Sequence, residues 1–275
     1  MNKQSKAKTL ILSIGFVIVF VTIFIVLSQL KQFLPENLER YSHGILGTIS
    51  AFTTIGLFIN FEKNKLKDYG IVWDKKTTKR FLVGTVIGVI LALTMIFSQI
   101  LISGLEITVP ENQNIPTFLI SIPAILILAF MEELAFRSYP FIKLNKQFGL
   151  RTTQFLIAIL FALYHLVNGW SIGLSFLGPG IWSLAYGLSA VASNGISMPT
   201  GLHSGVNIIL ALFIGKKNVE SLWTIDFPTE VSENMIAANQ KVGIIIHVSL
   251  LILCIIATEI YLRKKKTTAN SIYYS

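Results

Sequence analysis

The chain has 275 residues, of which 53% are hydrophobic and only 13% are charged, a composition too apolar for an ordinary soluble domain. Its formal net charge of +9 could serve nucleic-acid binding, but the Lys and Arg residues cluster beside apolar segments, as membrane orientation requires. The one cysteine, Cys254, cannot form an intrachain disulfide or supply a cysteine metal cluster. We therefore expect an all-α, polytopic membrane protein whose partner is the lipid bilayer and not a nucleic acid.

Eight apolar segments are each long enough to cross a bilayer as a helix. The first follows a basic N-terminus, as in a signal peptide, but it exceeds the usual apolar core of one and no small-x-small cleavage site precedes Lys31. We therefore expect it to remain as a spanning helix. The eight spans are predicted at residues 9–29, 44–61, 81–103, 116–139, 153–169, 172–192, 198–215 and 242–262.

Most of the 23 Lys and Arg residues lie on one side of this arrangement, at the N-terminus, in linkers 62–80 and 137–152, and at residues 263–266. Because basic residues accumulate on the cytoplasmic side, we expect both termini inside the cell. We treat residues 1–275 as a single membrane domain with a flexible tail after about residue 266. The abundance of Ile, Lys and Asn favours a bacterial cell membrane.

Charged residues interrupt the fourth span in the stretch MEELAFR, which contains Glu132, Glu133 and Arg137. Each ionised side chain at this depth costs about 2.5–3.5 kcal/mol to insert, so such groups usually pair, line a cavity or do chemistry. Glu133 and Arg137 are four residues apart and share a helix face, which predicts an ion pair. Glu132 points elsewhere, and this leaves its carboxylate able to face a cavity and deprotonate a water.

Two further spans carry polar side chains at helical spacing. Phe161 and His165 share a face of the fifth span, and His203 and Asn207 share a face of the seventh. At 1.5 Å per residue, His203 and Asn207 lie about 8 and 14 Å from the inner end of their span, and His165 lies about 18 Å from the inner end of its own. We expect all of them to share the cytoplasmic half of the membrane with Glu132.

Small residues surround His203 in the seventh span. Gly201, Ser204 and Gly205 leave little side-chain volume on this helix. Such residues let another membrane helix approach closely, so we expect a neighbouring helix to pack here.

Three motifs resemble those of the CAAX protease and bacteriocin-processing enzyme family, also called the ABI family. They are EExxxR at Glu132 to Arg137, FxxxH at Phe161 to His165, and HxxxN at His203 to Asn207. All three occur in the family's order, on separate predicted helices, within a motif-bearing core at residues 116–215. The combination is far more specific than any one motif.

The resemblance implies an intramembrane endopeptidase with about eight helices around a catalytic cavity. In this family Glu132 and His165 would activate a water that attacks a peptide carbonyl, and His203 and Asn207 would stabilise the oxyanion. The remaining motif residues would support the site structurally: Glu133, Arg137 and Phe161. The implied substrate is a membrane-associated peptide or protein.

The sequence leaves metal dependence open. Zn²⁺ or another divalent metal, if present, would bind Glu132, His165 and His203. However, HExxH is absent and the two His residues lie on different helices, so their spacing gives no metal signature. Metal-free activation of water is the interpretation we prefer.

Other interpretations of the same residues stay open. The acidic and basic residues of the fourth span could be a structural ion cluster. The whole protein could be a non-catalytic scaffold, for bacteriocin immunity or regulation, that retains the motifs. A transporter is less consistent with the sequence, which shows no inverted repeat or pair of interrupted helices.

Overall fold

The computed structural model of the protein describes residues 3–35, 38–63, 65–111, 113–215, 221–228 and 231–273. It confirms the predicted all-α polytopic fold, because within these ranges eight helices are long and apolar enough to cross a membrane. These spans lie at Lys6–Phe33, Tyr41–Glu62, Thr77–Ser103, Ile115–Phe148, Leu150–Val167, Ile172–Ser193, Ser197–Ile214 and Glu233–Lys266.

The described residues form ten α-helices and two short strands. The helices are α1 (Lys3–Ser28), α2 (Glu39–Glu62), α3 (Thr77–Ser103), α4 (Ile115–Arg137), α5 (Tyr139–Phe148), α6 (Leu150–Val167), α7 (Ile172–Ser175), α8 (Ile181–Ser193), α9 (Ser197–Ile214) and α10 (Glu233–Tyr273). Strands β1 (Glu106–Thr108) and β2 (Thr224–Asp226) pair antiparallel, with Ile107 opposite Ile225. The sheet joins the loop after α3 to the loop before α10.

The linker predicted at residues 137–152 is wrong. Only Ser138, with a non-helical ψ of −112°, and Gly149, with φ of +79°, interrupt the helical backbone between α4 and α6. Glycine suits position 149 because it adopts positive φ at no steric cost. Two of the four basic residues that suggested a loop, Lys143 and Lys146, belong to amphipathic α5, where Lys143 forms an ion pair with Glu62 at 2.7 Å.

The sixth span is not one regular helix. Between α7 and α8, residues Phe176–Gly180 form a single π-helical turn that contains Pro179. Proline lacks the N–H that would bond to the preceding turn, and a wider turn accommodates this loss. The turn therefore separates α7, at the start of the span, from α8, which continues it.

The C-terminal helix is longer than the predicted span. The backbone of α10 is helical to Tyr273, past the predicted end of the span at residue 262. The flexible tail expected after about residue 266 stays a prediction. A hydropathy window ends where apolar residues end, but Lys, Arg and Ala are good helix formers outside a membrane as well. Hydropathy therefore located the span of this helix and not its end.

Helices α3 and α9 pack backbone against backbone. A Cβ atom added to any of four glycines on these helices would lie 2.0–2.4 Å from a backbone carbonyl oxygen of the other helix. This confirms the close approach predicted at α9 and identifies α3 as the neighbour. The four glycines are Gly84 and Gly88 on α3, and Gly201 and Gly205 on α9.

Substituting one of these glycines should destabilise the protein. In Gly88→Ala the new Cβ would lie 2.1 Å from the carbonyl oxygen of Leu202, a backbone atom that cannot rotate away. We expect a loss of about 1–3 kcal/mol or more, as for other overpacked sites, measured by thermal unfolding in detergent.

Gly56→Ala on α2 is the matched control, because no heavy atom lies within 4 Å of a Cβ built there. Replacing a helical glycine where space is open should stabilise the protein by roughly 0.5–1 kcal/mol or leave it unchanged. Equal losses in the two variants would contradict the packing described for α3 and α9.

Candidate active site

The charged residues of α4 lie inside the helix bundle. Glu133 and Arg137 are 0% and 1% exposed, and Glu132 is 6% exposed. Arg137 Nε lies 3.2 Å from Glu133 Oε2, which confirms the ion pair predicted from their four-residue spacing. A buried pair of this kind requires further polar contacts, and α8 and α9 supply contacts to Arg137 and Glu133, respectively.

His203 on α9 contacts both carboxylates. Its Nδ1 lies 2.9 Å from Glu133 Oε1, and its Nε2 lies 3.6 Å from Glu132 Oε2. The first contact is a hydrogen bond and the second is an ion-pair distance. His203 therefore bridges the two glutamates of α4, although only 6% of its surface is exposed.

These contacts define which edge of the His203 ring faces each glutamate. An ionised carboxylate only accepts hydrogen bonds, so Nδ1 carries a hydrogen that it donates to Glu133. The opposite nitrogen, Nε2, then faces Glu132.

The ring of Phe161 on α6 joins the elements of the site. Its centroid lies 4.6 Å from the guanidinium carbon of Arg137, 4.7 Å from the ring of His165 and 6.2 Å from the ring of His203. Cationic and imidazole groups around one aromatic ring gain from its quadrupole. Phe161 therefore brings α4, α6 and α9 together at one place.

His165 is held by its own helix and by an aromatic neighbour. Its Nδ1 donates a hydrogen bond to the carbonyl oxygen of Phe161 at 2.8 Å, because a carbonyl can only accept. In the neutral ring Nε2 therefore carries the lone pair. The ring of Trp170 meets that of His165 edge-on at 5.2 Å, just beyond the end of α6.

Asn207 lies one helical turn beyond His203 on α9. It is buried, with 8% of its surface exposed, as the four-residue spacing predicts for a side chain on the inner face. Asn207 therefore shares the inner face of α9 with His203.

Helices α4 and α6 meet beside their motif residues. The hydroxyl of Tyr164, which precedes His165, lies 4.0 Å from Sδ of Met131, which precedes Glu132. The greater depth expected for His165 stays a prediction.

Two residues of α8 that belong to no motif contact the motif residues. Ser183 Oγ accepts a hydrogen bond from Arg137 Nη2 at 2.7 Å. The ring of Tyr186 stacks on His203, with centroids 4.4 Å apart and planes 17° apart. Neither residue was predicted from the sequence. The available signal was that the two polar side chains are three residues apart in an apolar segment and therefore share a helix face.

The donor set does not fit a metal site. Within the ranges that the structure describes, no group of three or more His, Cys, Asp or Glu side chains is arranged to hold a metal ion. Glu132, His165 and His203, the ligand set considered from the sequence, do not form such a group.

Fold and site together define a polytopic helical membrane protein that holds a carboxylate–imidazole cluster within its spans. Residues 114–209, which contain all three motifs, match the family model described as type II CAAX prenyl endopeptidase Rce1-like. This match confirms, over these residues, the resemblance predicted from the motifs. It supports a function of the CAAX intramembrane protease kind. A search of curated proteins gave no match.

Proposed function

We propose that the protein is an intramembrane endopeptidase that hydrolyses a peptide bond with a water activated by Glu132 and His165. His203 and Asn207 stabilise the oxyanion that forms. The observation that carries this proposal is the convergence of Glu132 and Glu133 on His203, beside the ring that also contacts His165.

The charges of the cluster support His203 as a donor. Glu132 and Glu133, when ionised, carry two negative charges, and Arg137 supplies one positive charge among these buried side chains. An uncompensated charge inside the bundle is costly, so the carboxylates of the cluster favour neighbours that donate to them, as Arg137 and His203 do for Glu133. In the proposed reaction the imidazole of His203 donates through Nε2–H to the developing oxyanion.

The reaction that follows conserves atoms and protons. Glu132 accepts a proton from the water while the water oxygen forms a bond to the peptide carbonyl carbon, and His165 Nε2 accepts the second hydrogen bond of that water. The carbonyl oxygen becomes an oxyanion that His203 and the Asn207 amide stabilise. The C–N bond breaks, and Glu132 returns its proton to the amine. General-base help of this kind contributes about 10²–10⁴ in rate.

The substrate we propose is a membrane-associated peptide or protein, because the cluster lies within spanning helices. The family name supports testing a prenylated CAAX-type peptide first, against the same peptide without the prenyl group. We further propose that both termini face the cytoplasm of a bacterial cell. The basic residues of linker 63–76, of α5 and of residues 263–266 support this orientation.

Asn207→Ala tests the oxyanion role. Losing one donor to an oxyanion costs about 2.7–4 kcal/mol of transition-state stabilisation, so we expect kcat to fall by about 10²–10³. Asn145→Ala on α5 is the matched control and should keep the wild-type rate, because it removes the same amide from a helix outside the site. A wild-type kcat in Asn207→Ala would exclude this role.

Hydrolysis itself is tested on purified protein in lipid nanodiscs with a quenched peptide library. Glu132→Ala, His165→Ala and His203→Ala should each cleave about 10²-fold or more slowly than the wild type. Cleavage at the wild-type rate in all three variants would overturn the proposal. If instead Glu132→Ala keeps full protection or regulation in cells, the scaffold interpretation replaces it.

A further inference from the structure

Helix α8 approaches the site without contributing to any of the three motifs. Its side chains Ser183 and Tyr186 are 1% and 2% exposed, and both contact motif residues. They lie on one face of α8, three residues apart. Helix α8 is therefore in contact with Arg137 and His203 through these two side chains.

Ser183 acts on Arg137. Arg137 Nη2 donates to Ser183 Oγ at 2.7 Å and to the Ser183 carbonyl oxygen at 3.3 Å. The guanidinium is a rigid plane, so fixing Nη2 also fixes Nε, which lies 3.2 Å from Glu133 Oε2. The other oxygen of Glu133 accepts from His203 Nδ1 at 2.9 Å. A continuous series of polar contacts therefore runs from α8 to the imidazole of His203.

Tyr186 acts on His203 directly. Its ring lies nearly parallel to the imidazole at 4.4 Å, and it also faces the guanidinium of Arg137 at 5.2 Å. A stacked neighbour opposes rotation of the imidazole out of its plane. A half-turn of the His203 ring would place carbon atoms, in place of Nδ1 and Nε2, against the two glutamates.

We propose that Ser183 and Tyr186 are positioning residues that fix the ring orientation of His203, with Nδ1 on Glu133 and Nε2 on Glu132. Ser183 acts through Arg137 and Glu133, and Tyr186 acts by stacking. The effect on catalysis rests on the function proposed above, whereas the effect on the ring of His203 does not. Either effect can therefore be disproved without disproving the other.

The ring orientation is tested by NMR of protein with ¹⁵N-labelled histidine, in which His203→Gln identifies the signals of His203 among the four histidines. The wild type should show one set of His203 ring signals. Ser183→Ala and Tyr186→Leu should each broaden this set or add a second one. Tyr186→Phe keeps the stacked ring and should resemble the wild type.

Matched controls remove the same groups elsewhere. Ser193→Ala removes a buried hydroxyl that bonds within α8, and Tyr139→Leu removes a buried ring of α5 that stacks on Phe16. Both should leave the His203 signals unchanged. The inference is overturned if Ser183→Ala leaves a single unchanged set of His203 signals, or if the control variants alter the set equally. Should Tyr186→Leu fail to fold, Ser183→Ala and Tyr186→Phe still decide.

Kinetics give a readout that a merely structural role would not produce. We expect Ser183→Ala and Tyr186→Leu to lower kcat by up to about 10²-fold with little change in KM, as for other misplaced groups. In a His203→Ala background neither change should lower the residual rate further. Equal losses in both backgrounds would overturn the inference. If the wild-type protein shows no hydrolysis, the proposed function is contradicted. The NMR experiment then still tests whether Ser183 and Tyr186 fix the ring of His203.

Discussion

Glu132→Gln is expected to lower kcat for peptide hydrolysis by about 10²–10⁴ without unfolding the protein. The amide keeps the size of the carboxylate and one oxygen, but it cannot accept a proton from water. It also removes the negative charge that faces His203 Nε2 at 3.6 Å. The measurement is kcat and KM for a quenched peptide in nanodiscs, with thermal unfolding of each variant in parallel.

Glu106→Gln provides the control for this substitution. Glu106 is an exposed residue of β1, so removing its charge should change neither kcat nor thermal stability. If Glu132→Gln retained the kcat of the wild type and of Glu106→Gln, Glu132 could not be the base. If it lost activity only by unfolding, the carboxylate would be structural.

Arg137→Met is expected to have the largest effect on stability. Methionine fills much of the same space, but it leaves the carboxylate of Glu133 buried without its cationic partner and leaves Ser183 without its donor. Removing one partner of a buried pair typically costs about 3–5 kcal/mol. Thermal or denaturant unfolding in detergent measures this loss.

Two further variants test whether the loss of stability in Arg137→Met comes from breaking the buried ion pair. Arg151→Met removes an exposed arginine whose pair with Glu259 has contacts of 2.5 and 2.6 Å, and an exposed pair contributes about 0–1 kcal/mol. Adding Glu133→Gln to Arg137→Met removes the uncompensated charge and should recover part of the stability. Equal losses for Arg137→Met and Arg151→Met would contradict a buried ion pair.

Local periodicity explains what could be predicted from the sequence. The spans, the Glu133–Arg137 pair and the close approach at Gly201 and Gly205 all follow from hydropathy or helical spacing within one segment. The same approach missed α5, because a hydropathy window interprets the charges of Lys143 and Lys146 as a loop. These charges lie on one side of an amphipathic helix whose other side is buried.

Contacts between helices could not be predicted in the same way. Two histidines and two glutamates on three helices allow several pairings, and spacing within a helix does not choose among them. The sequence suggested that Glu132 works with His165, and the structure adds that His203 contacts both glutamates. Ser183 and Tyr186 were missed because only the packing of α8 against α4 and α9 gives them their partners.

A double-mutant cycle on kcat/KM for Glu132→Gln and His203→Ala is the most direct test of the central claim that this cluster performs hydrolysis as one unit. Residues that act together fail together, so the double variant should lose about as much activity as the more damaging single variant. Independent, multiplying losses, or hydrolysis by the double variant at the wild-type rate, would contradict the claim.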